Sequence, residues 1–193
     1  MRAPRPGSGQ RNMPRAAWEA FRPEATTTSG YALMRDLHTN LDRFPLKSKH
    51  QVRFLEAFTS ASSVIIYGDD YTPRRVACDW PQYDDTRNVV MVTAARRMGK
   101  TVAVQMFSLA FILSIPNTVV AIYAPGMRTA NKLLEGITAL FREHAAEEMS
   151  VVKCNATEFR IRPRGAPISD TRTVFCYPSN IVSSFFKIRT RTL

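Results

Sequence analysis

Residues Asn88 to Ile115 read NVVMVTAARRMGKTVAVQMFSLAFILSI, and the fold turns on how that stretch is read. Val89 to Thr93 is an apolar, β-branched run, the composition of a buried parallel strand. Ala94 to Gly99 holds no bulky apolar side chain except Met98, as a loop would. From Lys100 the chain is apolar again. Val102, Val104, Met106, Phe107, Leu109, Phe111 and Ile112 cover nearly every side of a helix, which predicts packing on several faces. Pro116 and Asn117 end it, and Val119 to Tyr123 (VVAIY) predicts a second buried strand. Strand, loop, helix, strand is a βαβ unit, from which parallel sheets are built.

Gly99-Lys100-Thr101 falls where loop becomes helix. These residue types suit a polyphosphate, which is best held by backbone N–H groups at a helix N-terminus, where the dipole is positive. Gly99 lets the backbone approach closely because no Cβ intervenes. Lys100 brings an ammonium to the terminal phosphates, and the Thr101 hydroxyl reaches a magnesium ion on the same nucleotide. The full phosphate-loop pattern has a glycine five residues before Gly99, where this chain has Ala94. The competing reading is an ordinary helix start with Thr101 as an early polar residue. It leaves Lys100 and the pair Arg96-Arg97 unexplained.

At these residues the chain resembles the ATPase of viral large terminase subunits, the motors that pump DNA into preformed capsids. That family tolerates loss of the first loop glycine and places a basic residue inside the loop. Arg96-Arg97-Met98-Gly99-Lys100-Thr101 is similar to the herpesvirus-like branch, which favours two arginines and one variable residue before Gly-Lys-Thr. The resemblance implies an α/β fold, a RecA-like P-loop NTPase with a parallel sheet core, and ATP-driven translocation of DNA. It implies ATP contacts at Ala94, Ala95, Arg96, Arg97, Met98, Gly99, Lys100 and Thr101, with magnesium at Thr101. Lys100 and Arg96 become the catalytic pair, Arg96 stabilising charge on the transferring phosphoryl group. A glutamine at a helix start upstream reads adenine in such translocases, and Gln51 in Lys49-His50-Gln51-Val52 is the matching position. An amide suits adenine because it both accepts and donates. The implied partners are double-stranded viral DNA, the capsid portal and other terminase subunits, in an oligomer in the host nucleus, or the host cytoplasm outside the herpesvirus-like branch.

No apolar run ending in Asp-Glu follows the loop, and phosphoryl transfer to water needs carboxylates for magnesium and for the water. The expectation is therefore an ATPase core incomplete at the C-terminus, with Phe185 to Leu193 a tail read past a splice site. The chain is expected to act as an ATPase as part of a longer protein, and to bind nucleotide but turn it over poorly alone. Two alternatives stay open: a generic P-loop helicase or kinase fragment, and a non-catalytic basic nucleic-acid-binding protein.

The chain is 193 residues long, enough for one ordinary domain, with a formal charge of +11 and a pI near 10.1. Such a balance favours polyanionic partners. Residues 1–28 read as a basic, disordered leader rich in Arg, Pro, Gly and Ser. Residues 29–60 read as a helical segment: Ser29 as N-cap for a helix from Tyr31 to about Arg43 stopped by Pro45, then a helix from Ser48 to Phe58. Residues 61–193 read as the first part of the ATPase core. Within it Val64 to Tyr67 (VIIY) is a strand candidate, and Asp69-Asp70 reads as a turn. The metal-holding alternatives for those two carboxylates, an ATPase strand end or a polymerase hairpin, lack the required order and partners. Tyr71 to Arg87 reads as a loop insertion, with Asp84-Asp85 a turn. A helix from Arg128 to about Glu148 is predicted, then strands at Lys153 to Arg162 and Thr173 to Tyr177. Cys78, Cys154 and Cys176 form no CxxC pair, which argues against zinc and for buried free thiols. His38, His50 and His144 have no ligand spacing. No segment is long enough to span a membrane.

Overall fold

The computed structural model describes residues 29–44, 47–83, 89–92, 95, 97–178 and 185–190. The leader, Pro45, Asp84-Asp85, Thr93, Ala94 and Arg96 lie outside the described residues. The fold is mixed α/β. In chain order it comprises α1 (Ser29–Asp42), α2 (Lys49–Tyr67), α3 (Pro73–Asp79), α4 (Lys100–Ser114), β1 (Thr118–Ala124), α5 (Met127–His144), β2 (Met149–Cys154), β3 (Glu158–Pro163), β4 (Arg172–Pro178) and β5 (Phe185–Thr190). Among the described residues no helix is long and apolar enough to cross a membrane.

Helix α4 is the hub. Ala103 and every residue from Gln105 to Ser114 are buried, as an all-round apolar helix must be to escape water. It packs against α1, α2, α5 and the sheet. Two hydroxyls on it are satisfied locally: Ser108 and Ser114 donate to the carbonyls of Val104 and Ala110 at 2.6 and 2.8 Å. Asn40 of α1 donates its amide to Ser114 Oγ at 2.9 Å. Gln105 reaches α5, donating to Lys132 and Leu133 carbonyls at 3.3 and 3.4 Å. The space for it comes from Gly136, where an added Cβ would sit 2.0 Å from Gln105 Nε2.

The sheet has five strands in the order β2-β3-β4-β1-β5. Among the described residues only β1 and β4 run parallel, with Val120 opposite Val174 and Ile122 opposite Cys176. The β2/β3, β3/β4 and β1/β5 pairings are antiparallel. The parallel core read from the sequence is thus one strand pair within a mixed sheet. The single strand expected from Lys153 to Arg162 is a hairpin. Asn155 Oδ1 accepts from the N–H groups of Thr157 and Glu158 at 3.0 and 2.7 Å, which turns the chain between β2 and β3. The expected tail from Phe185 is, over Phe185–Thr190, the edge strand beside β1.

Three further expectations are corrected. Val64 to Tyr67 is not a strand but the last turn of α2. The buried set Leu55, Thr59, Ser62, Ser63, Ile66 and Tyr67 recurs at helical spacing, so the helix runs through it. The insertion from Tyr71 contains α3, where Thr72 accepts from Arg75 N–H at 3.0 Å and Pro73 occupies the first turn. Tyr67 of α2 donates its hydroxyl to Asp79 at 2.9 Å, which pins α3 in place. Val89 to Val92 form no strand, and Val89 is 74% and Met91 92% exposed. Both backbone edges of β1 are already taken, by β4 and β5, so no place beside it remains for that segment. Gly68 to Asp70 form an exposed turn of 3₁₀-helix, in line with the turn reading. Cys176 is buried, with its thiol pushed up to about 12 by that burial. Cys78 and Cys154 are exposed, contrary to the expectation of buried thiols.

Arg172 closes the far end of α4. It is 7% exposed, and its guanidinium donates to the carbonyls of Ile112 and Leu113 at 3.1 and 2.6 Å. The other edge of the fork takes both oxygens of Asp170 at 3.1 Å each. Arg172→Met should cost about 3 kcal/mol in urea unfolding, because it leaves a carboxylate and two helix-end carbonyls without a donor. Arg172→Lys should fail to restore it, since an ammonium has no planar fork.

His38 of α1 lies between two rings, 4.7 Å from Trp80 and 5.8 Å from Tyr83, and Tyr83 Oη is 3.2 Å from its Nε2. Burial holds its pKa below the ordinary 6.5, partly offset by the Asp42 charge. A histidine kept neutral in the folded state binds its proton more readily in the unfolded chain. Stability is therefore present above about pH 6.5 and lost as pH falls through that value. The urea midpoint should drop between about pH 8 and pH 5, and His38→Phe should flatten that drop relative to the parent chain.

Candidate functional site

Helix α4 begins in an unusual way. Its N-cap, Gly99, has φ 75° and ψ 15°, the left-handed region, and no side chain caps the first turn. Arg97, two residues earlier, is also left-handed at φ 67°. A non-glycine residue in that region is uncommon, and such backbone in a loop turns its N–H groups towards a common concavity. No acidic side chain occupies the first turn of α4, so the positive end of the helix is not neutralised there. Ala103 N–H closes the first helical turn on Gly99 O at 3.0 Å.

Lys100 is the first residue of α4, yet its side chain does not follow the helix outward. Its Nζ donates to the Ala95 carbonyl at 2.8 Å, so the ammonium folds back across the loop and joins its two ends. Thr101, next along, is exposed. Ala95 and Arg97 are exposed and Met98 is half-buried. Of the residues expected to touch phosphate, Ala94 and Arg96 lie outside the described residues.

Gln51 is brought to the same place from 48 residues upstream. It is the third residue of α2 and half of a reciprocal cap. Its backbone N–H donates to Ser48 Oγ at 3.3 Å, and its Oε1 accepts from Ser48 N–H at 2.9 Å. That locks the side-chain amide in one rotamer. Its other end abuts the loop: a Cβ on Gly99 would lie 2.7 Å from Gln51 Nε2. Gly99 thus meets two demands at once, a positive φ and room for the amide. The signal for the cap, Ser48-x-x-Gln51, stands in the sequence, but the sequence analysis took Gln51 only for its amide chemistry.

Among the described residues no group of three or more His, Cys, Asp or Glu side chains could hold a metal ion. The arrangement can grip an anion with N–H groups, an ammonium and an amide. Set against known proteins, the chain matches no family model, no curated protein and no solved structure.

The packing of Gln51 against Gly99 is open to test. Gly99→Ala should lose about 1–3 kcal/mol in chemical unfolding, from the left-handed backbone and the contact together. Adding Gln51→Ala should recover the contact share, so the double variant should lose less than the Gly99→Ala loss plus the cap loss of Gln51→Ala alone. Strictly additive losses would show that the two residues do not touch.

Proposed function

We propose that this chain is the ATP-binding N-terminal portion of a DNA-packaging terminase motor, a RecA-like P-loop ATPase that couples hydrolysis to movement of viral DNA into a capsid. The observation that carries the reading is the meeting of three elements far apart in sequence. Gly99 starts α4 in the left-handed region, Lys100 folds over the loop, and Gln51 is fixed against Gly99. In this reading Lys100 and the loop N–H groups hold the terminal phosphates, and the Thr101 hydroxyl helps hold magnesium. Gln51 faces the adenine with Nε2 as donor to N7, and the second lone pair of its Oε1, beside the one that Ser48 N–H engages, accepts from the exocyclic amine. Arg96 stabilises the transferring phosphoryl group. The carboxylates for water activation come from elsewhere in the complete motor, whose partners are the viral duplex, the portal and other terminase subunits.

A second reading is favoured by one observation. Val89 and Met91 are exposed, so the segment before the loop lacks the buried strand that would brace it during phosphoryl transfer. That suits a basic nucleic-acid-binding protein of charge +11 that holds nucleotide without turning it over.

Binding of a fluorescent ATP analogue to the intact chain with magnesium separates these readings from an ordinary helix start. Lys100→Ala should weaken it about tenfold or more, equivalent to losing one charge-assisted contact to phosphate. Gln51→Ala should leave triphosphate affinity largely intact and remove the preference for ATP over GTP. Equal nucleotide affinity in the parent and in Lys100→Ala would remove the phosphate-loop reading. DNA binding that falls steeply with salt and ignores ATP would favour the second reading.

A further inference from the structure

The two faces of the sheet differ in chemistry. Strand β1 alternates buried and half-buried residues along its length. Val120, Ile122, Val174, Cys176, Phe159 and Ile161 form the buried side and are at most 3% exposed. Helices α4 and α5 lie against that side, and Phe141 of α5 meets Phe159 with ring centroids 5.2 Å apart. The alternate positions carry aromatic rings. Tyr123 and Phe175 are half-buried, and Tyr177 is 37% exposed. Register sets Tyr123 of β1 beside Tyr177 of β4. The rings of Phe175 and Tyr177 lie 5.5 Å apart at 16°, and those of Tyr177 and Tyr123 lie 5.9 Å apart at 35°. The three rings make one continuous platform across the parallel pair.

Cations border the platform. On β3, Glu158 stands opposite Phe175 and Arg160 opposite Thr173, and Lys153 of β2 stands opposite Arg160. Glu158 is the single acidic residue of the five described strands, and it is buried. Its Oε2 accepts from Lys153 Nζ at 2.6 Å, and its Oε1 accepts from Arg160. The side chains of Lys153 and Arg160 are 51% and 35% exposed, so the acid lies beneath and the cations face solvent. Arg162, two residues along β3 from Arg160, falls on the same face and is half-buried. Beyond β1, register sets Lys187 of β5 opposite Ala121 and Arg189 opposite Val119. The rings therefore lie between strands that bear basic residues on either side. An apolar partner would leave those cations without counter-charge. Duplex nucleic acid would supply phosphates but hides the flat faces of its bases. An unpaired strand answers both features, with bases on the rings and phosphates on the cations.

We propose that this face of the sheet binds single-stranded nucleic acid, with bases stacked on Tyr177, Phe175 and Tyr123 and phosphates held by Lys153, Arg160 and Arg162. The local charge agrees with that of the whole chain, +11, which draws polyanions to it. Neither functional reading above places nucleic acid on the sheet or asks for unpaired bases, and no residue of the α4 loop takes part. Failure of the nucleotide test at Lys100 therefore leaves this site standing.

The test is fluorescence anisotropy of the intact chain with labelled oligothymidylate and oligouridylate of about 15 nucleotides, and with a duplex of the same length. At one salt concentration the better single strand should bind at least about tenfold more tightly than the duplex, and the order of the two strands separates DNA from RNA as the natural ligand. Tyr177→Leu keeps apolar bulk without a π-face and should weaken the single strand about fivefold or more, and Phe175→Leu/Tyr177→Leu should weaken it further. Tyr177→Phe should bind as the parent does. Arg162→Gln should reduce the slope of log affinity against log salt by about 0.7, the share of one phosphate contact on a single strand. Tyr177→Trp guards against leucine variants that misfold, because the emission it adds should be quenched by the single strand. Duplex binding as tight as either single strand, no binding of either strand, unchanged affinity in the double leucine variant, or no quenching in Tyr177→Trp would overturn the proposal. Self-association of the parent chain in sedimentation, lost in the same leucine variants, would overturn it too and assign the face to a second copy.

Discussion

The burial of α4 is the constraint on which the rest of the structure depends. A helix apolar on every side gains most when all of it leaves water, and one partner cannot supply that cover. Here α1, α2, α5 and the sheet supply it together. Complete burial then creates a polar problem at each end, because the first N–H and last C=O groups have no partners within the helix. The C-terminal end is closed by Arg172, held by Asp170 and spread over two carbonyls. The N-terminal end has no such side-chain cap. One end is thus closed by a buried ion pair, and the other begins without a side-chain cap.

The same constraint explains the side-chain links between helices. Gln105 is polar, yet it lies on the buried surface of α4 and bonds to backbone carbonyls of α5. Its amide fixes the two helices at one axial position, and Gly136 is the residue that admits it. Asn40 does the like between α1 and the end of α4. Apolar packing alone would allow neighbouring helices to slide with little penalty, whereas a buried amide tolerates one register. The cap at Ser48 extends the network to α2 and sets Gln51 against Gly99. The loop geometry is therefore inherited from helix packing and not from a strand in front of it.

Much of this was legible in the sequence where one local signal sufficed. The all-apolar α4, β1, α5 and β4 follow from periodicity, and the Gly99-Lys100 junction follows from residue type. The misreadings came where local signals were weaker than tertiary context. VIIY has strong strand propensity, but Leu55, Thr59, Ser62 and Ile66 already committed the chain to a helical face that continues through it. Val89 to Val92 has the composition of a buried strand, yet both edges of β1, beside which a βαβ unit would place it, are taken by β4 and β5, and a sequence does not display which edges are taken. The turn between β2 and β3 was readable at Asn155, whose side chain bonds its neighbours' N–H groups, but the alternation on either side masked it. The contact between Gln51 and Gly99 was beyond reach, because nothing local to either residue records a neighbour 48 positions away.

An uncapped helix start is not by itself a receptor, and α5 makes the point. It too begins on a glycine, Gly126, with no side-chain cap and no acid in its first turn. Its glycine is extended, at φ −171°, and an added Cβ there would meet nothing within 4 Å. At α4 the corresponding glycine is left-handed, crowded by an amide and crossed by an ammonium from the next residue. The two helices share the same macrodipole chemistry and differ in preorganisation. Charge near a helix terminus is worth under about 1 kcal/mol when exposed and more when donors are fixed in advance around the anion's position. Of these two helix starts, that of α4 has the more preorganised donors, and this difference, not the glycine-lysine pair taken alone, is what makes it the better candidate for an anion site.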